Sequence, residues 1–246
     1  ALTTEDALAM VAACRDAGVP LMVHENFRWQ TPLMAVRRVI DSGEIGQTFF
    51  GRVSWRTGYD VFANQPYLAE EERFIISDLG VHVLDTARFL FGDVRRLACA
   101  TARVNPRVRG EDTATMLLTH LDGAVSVVDC SYATRVEPDP FPETLVEVDG
   151  ERGSIRLLPG YAMVVHAGGR TERRDVAPRL LPWATPPWHL VQESVLNIQR
   201  HWVECLRTGR EPATSARDNM KTFALVEAAY EAADTGRVVE MGGGDG

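Results

Sequence analysis

Along the chain, the spacing of apolar positions switches between two periods, and the switches mark out its elements. Apolar residues return every three to four positions in Leu2–Cys14, from about Pro32 to Ser42, through Leu79, Val83, Ala87, Leu90 and Phe91, over Leu190–Thr208 and over Ala216–Thr235. That spacing predicts five helices, each with one face in a core. A threonine followed by early acids starts the first, and Gly18 closes it. Ser77 is the expected N-cap of the third, with Gly92-Asp93 at its end. Val19–His24 is an apolar run read as a short buried strand, so helix, glycine and strand make half of a β-α-β unit. Such a unit needs an earlier strand, which is expected upstream.

From Thr48 the period changes to two. Thr48–Tyr59 alternates and is rich in Phe, Val, Trp and Thr, as a strand should be. After a polar stretch at 60–73 and the third helix come further strand-like runs: Arg95–Val104, Asp112–Leu121, Ala124–Thr134, Thr144–Asp149, Ser154–Leu158, Met163–His166 and Arg173–Val176, with a last short strand at Val238–Glu240. Asp122-Gly123, Asp149-Gly150 and Gly168-Gly169 are hairpin turn signals between them, which predicts an antiparallel sheet. The fold class expected is α+β: a partial Rossmann α/β remnant over residues 1–46, then an open, mainly antiparallel β-sheet domain with flanking helices over 47–241, and a disordered tail at 242–246.

Composition narrows the classes of function. The 246 residues are 45% hydrophobic and 24% charged, ordinary for a globular protein, and the net charge of −8 argues against nucleic acid or an anionic membrane as partner. No apolar run reaches the length of a membrane span and no signal peptide precedes the first helix, so a cytoplasmic protein is expected. Cys14, Cys99, Cys130 and Cys205 are scattered, with no C-x-x-C pair, which predicts free thiols.

The candidate chemistry lies on the third helix. Asp78, His82 and Asp85, spaced i, i+4 and i+7, fall on one face, and Asp and His are poor helix formers seldom chosen for propensity. A carboxylate one turn from an imidazole can orient it and raise its pKa, as a proton donor or acceptor near neutral pH requires. The competing reading makes Asp78 a cap and His82 a hydrogen-bonded structural histidine. No metal is expected, because no further residue with ligand spacing supports one. His24, His120, His166 and His201 are each expected to be structural. The Pro-rich loop Glu137–Pro142 reads as an extended connector, and Leu181–His189, with two tryptophans, as packing rather than a sugar-stacking surface. There is no G-x-G-x-x-G, no G-x-x-x-x-G-K-[ST] and no G-x-S-x-G.

Three passages carry a resemblance. They are Leu2–Ala7 running through Gly18–Val23 to Asn26-Phe27-Arg28, with Gly43–Gly46 beyond; Asp78-Leu79-Gly80-Val81-His82-Val83-Leu84-Asp85, a D-x-G-x-H-x-x-D; and Gly209–Pro212 through Val226–Tyr230 to Thr235–Val239. The chain resembles the Gfo/Idh/MocA family (glucose-fructose oxidoreductase, inositol dehydrogenase, rhizopine catabolism), NAD(P)-dependent oxidoreductases of sugars and cyclitols. The resemblance implies a Rossmann domain holding NAD or NADP, a substrate domain on an open sheet, and a small sugar or cyclitol substrate. It implies His82 as catalytic acid/base with Asp78 as its orienting partner, Asp85 as a lesser contributor near the substrate, and Asn26 and Arg28 facing the cofactor. A homodimer or homotetramer through the open sheet face is expected.

The family's glycine-rich loop and E-K-P motif would precede Ala1, so roughly a hundred residues of the Rossmann domain are expected to be missing from this chain. Without them the chain as it stands is expected to bind NAD(P) poorly and to be deficient in catalysis. The alternative is a non-catalytic sugar-binding or dimerising module derived from such an enzyme.

Overall fold

The first helix, α1 (Thr4–Asp16), starts where the Thr3 side chain accepts the Asp6 amide, the capping that its Thr-x-x-Asp sequence favours. The computed structural model describes Ala1 and residues 3–242; Leu2 and the tail from Gly243 lie outside the described residues. Only Ala7 of α1 is buried, while Leu8 and Met10 are half exposed.

The strand expected at Val19–His24 does not form. Val19 is 52% exposed, and the segment makes one isolated bridge, Met22 to Ser215. Its polar backbone groups go to the link before the last helix, Val23 N–H to Thr214 O and Ala216 N–H to Leu21 O. A strand needs a ladder beside it, and no strand of the sheet runs along this segment.

A short 3₁₀ turn, Phe27–Trp29, leads into α2 (Thr31–Asp41), whose Leu33, Ala35, Val36 and Val39 are buried. These side chains and Ile45 share one core with the sheet.

Nine strands form a single sheet among the described residues: β1 (Thr48–Arg56), β2 (Val94–Ala102), β3 (Thr113–His120), β4 (Val125–Ser131), β5 (Leu145–Gly150), β6 (Gly153–Leu158), β7 (Ala162–Ala167), β8 (Arg170–Asp175) and β9 (Val239–Glu240). Their order is β8-β7-β6-β5-β1-β4-β3-β2-β9. Neighbours are antiparallel except β1 and β4, which run parallel. The expected strand runs are thus present, with shifted ends, and β1 is inserted at the centre.

One face carries Val53, Trp55, Leu97, Met116, Leu118, Val128, Val146, Val148, Ile155 and Val165, all buried. Against it pack α2, α3 (Val81–Phe91) and α5 (Ala216–Thr235). The other face is polar: Asp129 accepts from Arg52, Ser54 and Arg56, and Arg156 pairs with Glu147 and Asp149. The period-two pattern produces this split, since each strand directs alternate side chains to opposite faces.

The helix at the centre differs from expectation at its start. Ser77 is not its cap, because the backbone is already helical at Ile75 and a single π turn, Ile76–Gly80, runs straight into α3. The first amides are satisfied from a distance instead: the Glu111 carboxylate, in the β2–β3 loop, accepts the N–H groups of Phe74 and Ile76. Tyr230 donates its hydroxyl to Glu111, and that hydroxyl accepts the Ser77 amide. Gly92, at φ 85, ends α3 in a conformation that side-chain-bearing residues avoid. The remaining long helix, α4 (His189–Thr208), lies against the 3₁₀ turn at Phe27–Trp29. No helix among the described residues is long and apolar enough to cross a membrane.

Candidate active site

His82 sits in the first turn of α3, immediately after the π turn, a helix irregularity that recurs at functional sites. Its Nδ1 lies 2.6 Å from Oε1 of Glu25, whose side chain is 4% exposed. The Phe27 ring stacks on the imidazole, with centroids 4.3 Å apart and planes at 9°. Nε2 has no hydrogen-bond partner among the described residues, and the imidazole is 28% exposed. The ring is therefore clamped by an edge and a face and open at one nitrogen. Burial works against the charged imidazolium, but Glu25, then Asp78 and Asp85, outweigh it and hold the His82 pKa above its ordinary value.

Asp78 is not the partner of His82. Its Oδ2 accepts the Tyr132 hydroxyl at 3.1 Å, and no hydrogen bond joins it to the imidazole. Burial raises its pKa above the usual carboxylate range, opposed by Tyr132 and by the nearby His82. Tyr132 stands at the end of β4, stacked on Phe74 at 5.7 Å and meeting the Trp55 edge. Burial and the Asp78 charge push its phenol far up, so it stays a donor.

The other expected site residues face inward. Asp85 is 0% exposed. Both its oxygens take the Arg28 guanidinium, from Nε at 2.7 Å and from Nη2, and Oδ1 also accepts Thr222 Oγ1 at 2.9 Å. Arg28 further donates to Asp218 and to the Ala213 carbonyl, and Asn26 Nδ2 donates to Ser194 Oγ at 2.6 Å. Asn26 and Arg28 thus tie the segment around Phe27 to α4, α5 and α3. Burial is the reason: both are 8% exposed, and buried polar groups take the partners at hand.

Beyond Tyr132 runs a row of aromatic side chains. Trp55 meets Phe141 edge on, Phe141 stacks on Tyr59 at 4.0 Å, and Trp188 sets its edge against both. The Pro-rich loop connects β4 to β5 as expected and delivers Phe141 to this row, while Asp139 pins it to Thr57 and Gly58. Trp188 is 41% exposed despite its edge contacts and Trp183 is 58% exposed, so neither tryptophan is packed away as expected. His120 is fixed by Gly92 O and Ser126 Oγ, and His201 accepts the Ala213 amide; both are structural. All four cysteines are free. An open cleft of about 500 Å3 is lined by Arg73, Glu111, Glu227 and Tyr230 and does not include His82.

Glu25 and Tyr132 escaped the sequence reading. Neither shares a helix with His82, and no periodicity links residues 57 or 54 positions apart. Glu25 lay beside Asn26 and Arg28 in a passage already singled out, and only its contact distinguishes it.

Residues 33–156 match the model of the GFO/IDH/MocA C-terminal domain. The chain is 57% identical over 242 residues to the D-apiose dehydrogenase of Rhizobium rhizogenes, covering 98% of this chain and 70% of that protein. It is 60% identical over 241 residues to the D-apiose dehydrogenase of Paraburkholderia graminis, of which it spans 64%. It superposes with a TM-score of 0.96, at 57% identity, on the crystal structure of an oxidoreductase from Agrobacterium radiobacter in complex with NAD+, L-tartaric acid and magnesium, covering 98% of this chain and 70% of that one. The chain belongs to the GFO/IDH/MocA family of NAD(P)-dependent oxidoreductases.

Proposed function

We propose that this chain carries the substrate-binding and acid/base part of a dehydrogenase that oxidises a CH–OH carbon of a small sugar. The relatives named D-apiose dehydrogenase support D-apiose as the first substrate to test. The observation that carries the reading is the His82 imidazole, held at Nδ1 by Glu25 and free at a partly exposed Nε2. In the oxidation, the carbon loses its hydrogen with both bonding electrons and the hydroxyl loses its proton. His82 accepts that proton and, in the reverse direction, returns it. Asp78, held at Oδ2 by Tyr132, has Oδ1 without a partner among the described residues and accepts a neighbouring substrate hydroxyl. Asp85, Arg28 and Asn26 hold the frame and touch no substrate.

A nicotinamide dinucleotide supplies the hydride acceptor when bound, at C4 of its ring. The free atoms of His82 and Asp78 suit the ring end of such a cofactor. No helix among the described residues opens on a glycine-rich turn of the kind that seats a pyrophosphate, and Asn26 and Arg28 are already engaged.

The test uses the product of the complete reading frame that encodes these residues, with NAD+ or NADP+ and a panel of D-apiose, other aldoses and inositols. Formation of reduced nicotinamide with D-apiose in preference to cyclitols is expected. Sugar binding with no nicotinamide reduction across the panel would overturn the reading in favour of a non-catalytic module.

We also propose that a second copy covers the polar face of the sheet. Leu117, 51% exposed at mid-strand between Ala98 and Val127, supports this. Leu117→Glu should then lower the mass seen by light scattering; a monomeric parent protein would refute the pairing.

A further inference from the structure

We infer that Glu25 is the positioning residue of this site: it holds His82 in the one tautomer whose lone pair lies at Nε2. This deepens the proposed acid/base role of His82 and rests on it. An ionised carboxylate only accepts hydrogen bonds, so at 2.6 Å the facing Nδ1 carries the proton. Neutral His82 then has its basic lone pair on Nε2, the nitrogen without a protein partner. Protonated His82 keeps the same bond and gains a proton at the same outward atom. The opposite tautomer would set a nitrogen lone pair against the carboxylate oxygen.

Glu25 is placed to do this and little else. It is almost fully buried, its carboxylate faces the Phe27 amide at 3.5 Å, and it precedes the 3₁₀ turn whose Phe27 ring lies flat on the imidazole. The stack restricts rotation of the ring about its own bond, so edge and face together fix where Nε2 points. The charged groups around His82 are Glu25 from the loop, Asp78 and Asp85 on its own helical segment, and Arg28, which neutralises Asp85; the neutral Tyr132 hydroxyl, just past β4, reaches it through Asp78. Asp78 and Asp85 are engaged with other donors, which leaves Glu25 as the carboxylate in contact with the ring.

Glu25→Gln tests this with almost no change of volume. The variant removes the negative charge that holds the proton at Nδ1, and its amide can accept or donate there, so neutral His82 should gain a population of the Nε2–H form, visible in the nitrogen chemical shifts of 15N-labelled protein. With D-apiose and NAD+, kcat should fall about 10²- to 10³-fold with KM for the sugar within about threefold, and the pH midpoint of kcat should move down. Glu25→Asp should recover part of the rate. An unchanged tautomer and pH profile in folded Glu25→Gln protein would overturn the proposal. Undiminished turnover in His82→Ala would instead overturn the acid/base reading while leaving the tautomer measurement standing, so the two failures are distinguishable.

Discussion

Arg28 and Asp85, 57 residues apart, meet in a buried two-pronged ion pair: the arginine comes from a turn between two helices and the carboxylate from the middle of α3. Thr222 and Asp218 extend the contact into α5, and Arg88 joins the same cluster through both. Removing one member strands a buried charge. Asp85→Ala should lower unfolding free energy by about 3–5 kcal/mol in urea melts, and the pair Arg28→Met with Asp85→Leu should recover most of it. A loss under about 1 kcal/mol would contradict this account of the cluster.

Stability should depend on pH through His82. Its folded pKa lies above the ordinary 6.5, because Glu25, Asp78 and Asp85 together outweigh burial. The folded state therefore binds this proton more tightly than the unfolded chain does. The added stability is fully present below about pH 6.5 and is lost as pH rises through the folded value. The difference in unfolding free energy between the wild type and His82→Gln should be larger at about pH 5.5 than at about pH 9. A difference that grows with pH would reverse the sign and refute it.

A glycine in β1 has a packing role. A Cβ on Gly51 would stand 2.1 Å from Cζ of Phe91, a buried residue at the end of α3. Gly51→Ala should cost about 1–3 kcal/mol, and adding Phe91→Leu should give part of it back. Full stability of the single variant would show that the ring yields freely.

Tyr132→Phe removes the donor that fixes Asp78 while leaving the ring stacked on Phe74. About a tenfold loss of kcat/KM for the sugar is expected, with folding intact. Unaltered kinetics would remove Asp78 orientation from the catalytic account.

Fluorescence titration of the 246-residue chain with NADH should give weak binding, since none of its described helices offers a glycine-rich phosphate seat. Micromolar or tighter affinity would contradict that expectation.

Most of the elements could be read from the order of residues. The α5 bounds, Ala216–Thr235, coincide with expectation, because a Ser cap, an apolar stripe and a terminal glycine are all local signals. The strands after α3 follow from alternation and turn residues in the same way. The exceptions are instructive. Val19–His24 has the composition of a strand but no ladder to join, and Ser77 resembles a cap yet is overruled by Glu111, an acceptor from a distant loop.

What the residues determined alone was the helix that bears His82, its polar face, and the alternation that splits the sheet into a buried and a polar side. Periodicity is set by near neighbours, so it survives translation into structure. Which groups touch was decided only by the tertiary fold. Glu25 rather than Asp78 reached the imidazole, Tyr132 took Asp78, and Arg28 with Asp85 closed on each other. Hydrogen bonds and ion pairs reward whatever partner the packed backbone brings within about 3 Å, and partners more than fifty positions away leave no mark on local spacing.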